Sequence, residues 1–228
     1  MADVKERPIL FNGDMVRAIL SGRKTQSRRV VKRNESGRVQ LGGKNWHLYD
    51  PNAILACPFG QPGDRLWVRE TWRVGAWEHC DPLARADCNA IAIDYMADNY
   101  PRKEWLEVEN DDVFFRIVEQ SEEDASTSGL SRGGHGQFTW SPGESPCRLR
   151  PSIHMPRWAS RITLEITEVR VERLQDISED DARAEGVEYE DCWTTYRQAF
   201  EGLWCKINGS GSWDANPWVW VIEFRRVI

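Results

Sequence analysis

Lys24, Thr25 and Ser27 place one amine and two hydroxyls close together in the chain, and Arg23, Arg28 and Arg29 surround them with guanidinium groups. A serine hydroxyl becomes a nucleophile when a partly neutral amine beside it can take its proton. Neighbouring cations favour that neutral form, so Arg23 and Arg28 would push the Lys24 pKa down. The same cluster would also serve as a phosphate contact, or simply as a solvated basic turn. All three uses fit these residues taken alone.

The elements that must position this segment are legible on either side of it. Asn12 or Asp14 can cap a short helix carrying Met15, Val16, Ile19 and Leu20 on one side, and Gly22 ends it. In a regular strand Lys24 and Ser27 would point to opposite faces, so their joint use requires a turn or bulge. Arg7–Phe11 reads as extended, and 34–56 as a loop or weak hairpin. Pro58–Asp64 is a dense turn feeding a strand over 65–72, in which Leu66 and Val68 alternate with Trp67 and Arg69. A second alternating strand covers 162–171. Ser178 then opens a short helix with capping-box spacing to Asp181, and Gly186 stops it. Trp193, Tyr196, Phe200, Leu203, Trp204 and Ile207 recur at helical spacing, an aromatic stripe that reads as core. The run 217–224 closes the chain as a strand.

Composition narrows the class. The chain has 228 residues, 40% of them hydrophobic, and no apolar run of membrane-spanning length. The charged N-terminus lacks a signal-peptide core, so a soluble protein of the cytoplasm is expected. Six scattered cysteines argue for reduced thiols. A net charge of −6 argues against indiscriminate duplex binding, yet residues 1–44 carry +7 and the remainder −13. Twelve tryptophans exceed the needs of the core and allow a base-stacking surface. Residues 74–147, with a net charge of −10, read as an acidic insertion in a core of 8–73 and 148–228, one domain in all. Within the insertion, 91–95 and 113–118 suggest a strand pair and Ser121–Gly136 a mobile loop. The insertion is also a candidate surface for a protein partner.

Three motifs in order carry a resemblance: Gly22-Arg-Lys-Thr-Gln-Ser-Arg28, Pro62-Gly-Asp-Arg-Leu-Trp-Val68, and the capped helix Ile177–Gly186 ahead of the aromatic helix and the closing Val-Trp-Val-Ile-Glu-Phe strand. The chain resembles the ASCH family of the PUA-like superfamily, in particular its long phage and prophage members, over about 8–72 and 150–226. The resemblance implies an α+β fold: a small PUA-like β-barrel with short flanking helices, here with a large acidic insertion. It also implies a nucleoside or single-stranded nucleic acid as partner, no cofactor and the cytoplasm of a bacterial host cell. The family's amidohydrolase branch removes the acetyl group of N4-acetylcytidine. Its motif places the base on Lys24, the nucleophile on Ser27 (serine where that branch has threonine) and the acid on Glu185. The alternative is a non-catalytic RNA- or DNA-binding module, or a ribonuclease of phage origin.

Arg23, Thr25, Arg28, Arg29, Trp67, Glu70, Trp72, Arg157 and Trp158 are the candidate substrate contacts. His154 reads as structural. Cys57, His79, Cys80 and Cys88 are poorly spaced for zinc, so no metal is expected. No Walker or dinucleotide motif is present.

Overall fold

The computed structural model describes residues 4–32, 39–41, 44–46, 54–55, 57–79, 89–98, 104–133, 137–188 and 195–227. The chain divides into two compact units. One comprises Met1–Ile9, Met15–Val68 and Arg161–Ile228, and the other Leu10–Asp14 and Arg69–Ser160.

The first unit is built on a five-stranded sheet in the order β1 (Glu6–Leu10), β5 (Arg65–Arg69), β9 (Thr163–Arg173), β10 (Trp218–Arg226), β2 (Gln26–Val30). Its strands alternate as the sequence implies, with Leu66, Val68, Leu164, Ile166, Trp220 and Ile222 all buried. On β10 the alternation places Val219 and Val221 on the other face, in a cluster with Leu174, Ile177, Phe200 and Trp204. That cluster holds α3 (Glu179–Ala184) and α4 (Tyr196–Asn208). The helix α1 (Gly13–Leu20) buries Val16, Ala18 and Ile19. The strands β3 (Val39–Leu41) and β4 (Lys44–Trp46) form a separate antiparallel pair within the region expected to be a loop or weak hairpin.

Among the described residues the expected barrel is not closed. The five-stranded sheet is open, with β1 and β2 at its two edges. Closure depends on how two edges meet, which alternation within a strand does not encode. What holds is the coarser α+β reading.

The second unit contains a three-stranded sheet in the order β6 (Trp72–His79), β7 (Asn89–Tyr95), β8 (Glu104–Glu107), and the helix α2 (Asp111–Thr127). It runs wider than the 74–147 segment assigned to the insertion. Two expectations are corrected here. Residues 113–118 are not the strand partner of 91–95, and Ser121–Thr127 are not loop: both lie in α2, and β7 pairs with β6 and β8. Asn110 caps the helix by accepting from the Val113 amide at 3.0 Å, with Asp111 and Asp112 in the first turn. Phe114, Ile117, Ser121 and Ala125 form its buried stripe. Because two of those four are a serine and an alanine, the apolar period is easily missed.

No helix among the described residues is long and apolar enough to cross a membrane.

Candidate functional site

Residues Gly22–Val30 carry the chain from α1 into the edge strand β2. Gly22 has φ +76 and lets the chain turn back after the helix. The amides of Arg23 and Lys24 donate to the Ala18 carbonyl at 2.9 and 3.0 Å. Lys24 lies ahead of the strand, in an isolated antiparallel bridge with Glu185, so strand alternation does not fix its direction. Thr25 completes the junction through its backbone, donating to Ala184 and accepting from Phe224, both at 2.9 Å.

Glu185 is held by the helix ahead of it. The Ser178 hydroxyl accepts from the Asp181 amide at 3.1 Å and donates to the Asp181 carboxylate at 2.8 Å, starting α3 as the capping spacing predicts. Glu185 is the C-cap of that helix. Gly186 follows with φ +78, and a Cβ there would lie 2.7 Å from the Lys24 Cβ and 3.0 Å from the Ala18 Cβ. Gly186→Ala therefore combines a left-handed backbone with a clash against fixed neighbours. It is expected to destabilise the protein by about 1–3 kcal/mol, read as a lower urea midpoint.

The two helices and the strand edge bring Lys24 and Glu185 together across the whole chain. The Lys24 ammonium donates to Glu185 Oε2 at 2.7 Å and to the Glu185 carbonyl at 2.9 Å. Only 1% of the Lys24 side chain and 4% of the Glu185 side chain are accessible. Burial pushes the Lys24 pKa below the ordinary lysine value; the Glu185 charge and hydrogen bond oppose this, while Arg29 and Arg28 add to the lowering.

A lowered lysine pKa means that the folded state binds fewer protons than the unfolded state between the two values. Stability arising from Lys24 therefore increases as pH rises through that interval. Wild type is expected to gain on Lys24→Met across it. A stability difference that stays flat in chemical denaturation from neutral pH to the ordinary lysine range would contradict the lowering.

A small cleft of about 80 Å³ opens along the edge of β2, and Ser27, Arg29 and Glu185 line it together with the backbone of Arg28, whose side chain is buried away from it. Met15, Val30, Phe200, Leu203, Trp204 and Ile207 make the apolar part. Val30 and Ile207 are 45% and 48% exposed at the rim. Ser27 is buried and pairs with Ile222 of β10, so alternation puts its side chain on the face opposite Gln26 and Arg28. Neither of the two Lys24 ammonium bonds to Glu185 involves Ser27, which lines the same cleft as Glu185.

The remaining candidates fall elsewhere or act differently from expectation. The Arg28 side chain is fully inaccessible and engaged by carboxylates, so it presents no surface to a phosphate. Arg29, not the expected Arg23, is the cation that joins Arg28 in lowering Lys24. Arg23 is exposed and pairs with Glu188 at 3.0 Å. Trp67 lies half-buried on β5, opposite Thr163. Glu70, Trp72, Arg157 and Trp158 belong to the second unit. There Trp72 is core, with Trp158 edge-on at 6.0 Å, while Arg157 is exposed and Glu70 buried. His154 is exposed on a 3-10 turn. Cys80 and Cys88 lie outside the described residues, and among those described no His/Cys/Asp/Glu group is arranged to hold a metal.

Sequence reasoning missed Phe200, Trp204 and Ile207 as cleft residues. Their spacing signalled only a buried stripe, although an exposed Ile207 at its end marks where the stripe leaves the core. Comparison with protein-family models, curated proteins and solved structures returned no match.

Proposed function

We propose that this chain binds a nucleoside, or a base of single-stranded nucleic acid, at the β2 edge and hydrolyses an acyl–amide bond on the modified base. It would do so on an ASCH-type, PUA-like scaffold, with N4-acetylcytidine as the first substrate to try. The observation that carries this reading is the buried Lys24–Glu185 pair at 2.7 Å, beside a cleft that Glu185 and Ser27 both line.

Passing one proton from Lys24 to Glu185 converts the ion pair into a free amine and a carboxylic acid. Those are the base and the acid that amide hydrolysis needs, and burial makes the Lys24 proton easier to give up. In the proposed reaction the Ser27 hydroxyl adds to the acyl carbon as its proton passes to Lys24, and Glu185 protonates the departing nitrogen. Water then cleaves the Ser27 ester, releasing the carboxylic acid and restoring the hydroxyl.

A cleft of about 80 Å³ suits a small acyl group, leaving the base against the apolar rim of Val30 and Ile207. A phosphate-directed reading, whether RNA cleavage or backbone binding, would use Arg28 and Arg29; the Arg28 side chain has no accessible surface, which counts against its share of that role.

The test is chromatographic hydrolysis of N4-acetylcytidine and a short panel of N-acylated nucleosides by wild type and folded Lys24→Ala. Deacylation by wild type that is lost in Lys24→Ala is the expected result. No turnover across the panel, or turnover indifferent to Lys24, would sink the reading.

A further inference from the structure

The two oxygens of the Glu185 carboxylate have different partners. Oε2 accepts from the Lys24 ammonium at 2.7 Å, and Oε1 accepts from Arg28 Nη1 at 3.2 Å. The terminal torsion of a glutamate is broad and nearly two-fold. With lysine as the sole partner, the carboxylate could rotate and offer either oxygen. Arg28 breaks that equivalence.

Arg28 is itself fixed from two further elements. Its Nε and Nη2 donate to Glu172 Oε1 on β9 at 3.2 and 2.6 Å, and Nη2 lies 3.5 Å from Asp181 Oδ2 on α3. Nη1 also donates to the Gln26 side-chain oxygen. Arg170, on β9, ties the two acidic anchors together, reaching Glu172 at 3.2 Å and Asp181 at 2.8 Å. Gln26 adds a bond to Asp181 at 2.9 Å. The guanidinium stands 5.8 Å over the Phe200 ring on the α4 side. No part of this side chain is open to substrate.

We infer that Arg28 is a positioning residue: it takes Oε1 of Glu185 so that Oε2 is turned onto Lys24, and Glu172, Asp181 and Arg170 hold it in place. The fork of Arg28 sets the geometry of the pair, and its charge adds to burial and Arg29 in loosening the proton on Lys24. Both electrical effects act in one direction. A cation near Lys24 disfavours the ammonium, and a cation on Glu185 weakens the carboxylate's hold on it. The groups facing the pair are Arg28 and Arg29 from β2 and the Glu185 carboxylate and carbonyl from α3, with Glu172 and Asp181 behind Arg28. The consequence for turnover rests on the amidohydrolase reading. The consequence for Lys24 protonation rests on the contacts alone.

The experiment follows the Lys24 ammonium by NMR, in protein carrying ¹⁵N at the lysine and arginine side-chain nitrogens, alongside N4-acetylcytidine turnover. Wild type is compared with Arg28→Gln, which removes the charge, and Arg28→Lys, which keeps the charge but not the fork. Arg28→Gln is expected to raise the Lys24 titration midpoint. Arg28→Lys is expected to leave it within about half a unit. Turnover is expected to fall about 10–100-fold in kcat in both, with KM within about threefold.

A Lys24 midpoint unmoved in Arg28→Gln overturns the inference, and so does a loss confined to KM. Should the variants not fold, wild type still decides. The Arg28 Nε–H resonance must shift in step with the Lys24 titration, and a signal flat through it overturns the inference. Absence of turnover in wild type would count against the hydrolase reading, while the Lys24 midpoint would still test Arg28.

Discussion

Glu185→Ala is expected to cost about 3–5 kcal/mol of folding stability, far more than any surface carboxylate would. The size follows from burial. An exposed lysine–glutamate pair contributes about 0–1 kcal/mol, because water solvates whichever partner is left. Here Lys24 and Glu185 are 1% and 4% accessible, and removing the carboxylate takes away the buried charge that faces the ammonium at 2.7 Å. Arg28 suffers less, since Glu172 and Asp181 still engage it.

The cost should therefore depend on Lys24. In Lys24→Met/Glu185→Leu most of the lost stability should return, because the charge that was expensive to strand is gone. The check is the urea midpoint at constant m-value for the two single variants and the double. A loss below about 1 kcal/mol in Glu185→Ala would mean that Lys24 reaches solvent, and would contradict the buried pair.

Ser27→Ala is expected to lower kcat for acyl-nucleoside hydrolysis by at least about 10³-fold, with the fold intact. The hydroxyl is the group asked to form the covalent bond, so its removal eliminates a step rather than weakening a contact. Its packing cost is small: one oxygen is removed from a buried position beside Ile222, which should change stability by about 1 kcal/mol or less. That separation distinguishes it from Glu185→Ala, where stability and activity fall together. Ser27→Thr keeps the hydroxyl and should retain measurable turnover. Were Ser27→Ala to raise KM and leave kcat unchanged, Ser27 would be a binding contact and the nucleophile would lie elsewhere.

What was legible in the sequence is the local punctuation of the first unit. The stop at Gly22, the alternation of Leu66 and Val68, the cap at Ser178 and the closing strand each follow from residues that touch their sequence neighbours. The Lys24–Glu185 pair does not, since 161 residues separate its partners; only the family resemblance put both on one site. Arg28 reads as a substrate contact because a basic run looks solvated from its own sequence. The carboxylates that bury it come from β9 and α3, at positions no local period marks. The helix α2 was missed for a related reason. Val113, Phe114, Phe115, Ile117 and Val118 look β-prone locally, whereas Ser121 and Ala125, which extend the buried face, look like loop. The open sheet in place of a closed barrel depends on pairing between strand edges, which strand composition does not specify.

The most direct test of the central claim is where the acyl group goes. Wild type mixed with N4-acetylcytidine, quenched within the first turnover and examined by intact and peptide mass spectrometry, should carry one acetyl group on the peptide containing Ser27. Ser27→Ala should carry none. Release of acetate and cytidine by wild type with no acetyl-enzyme at any quench time, together with full turnover by Ser27→Ala, would contradict nucleophilic catalysis at this cleft.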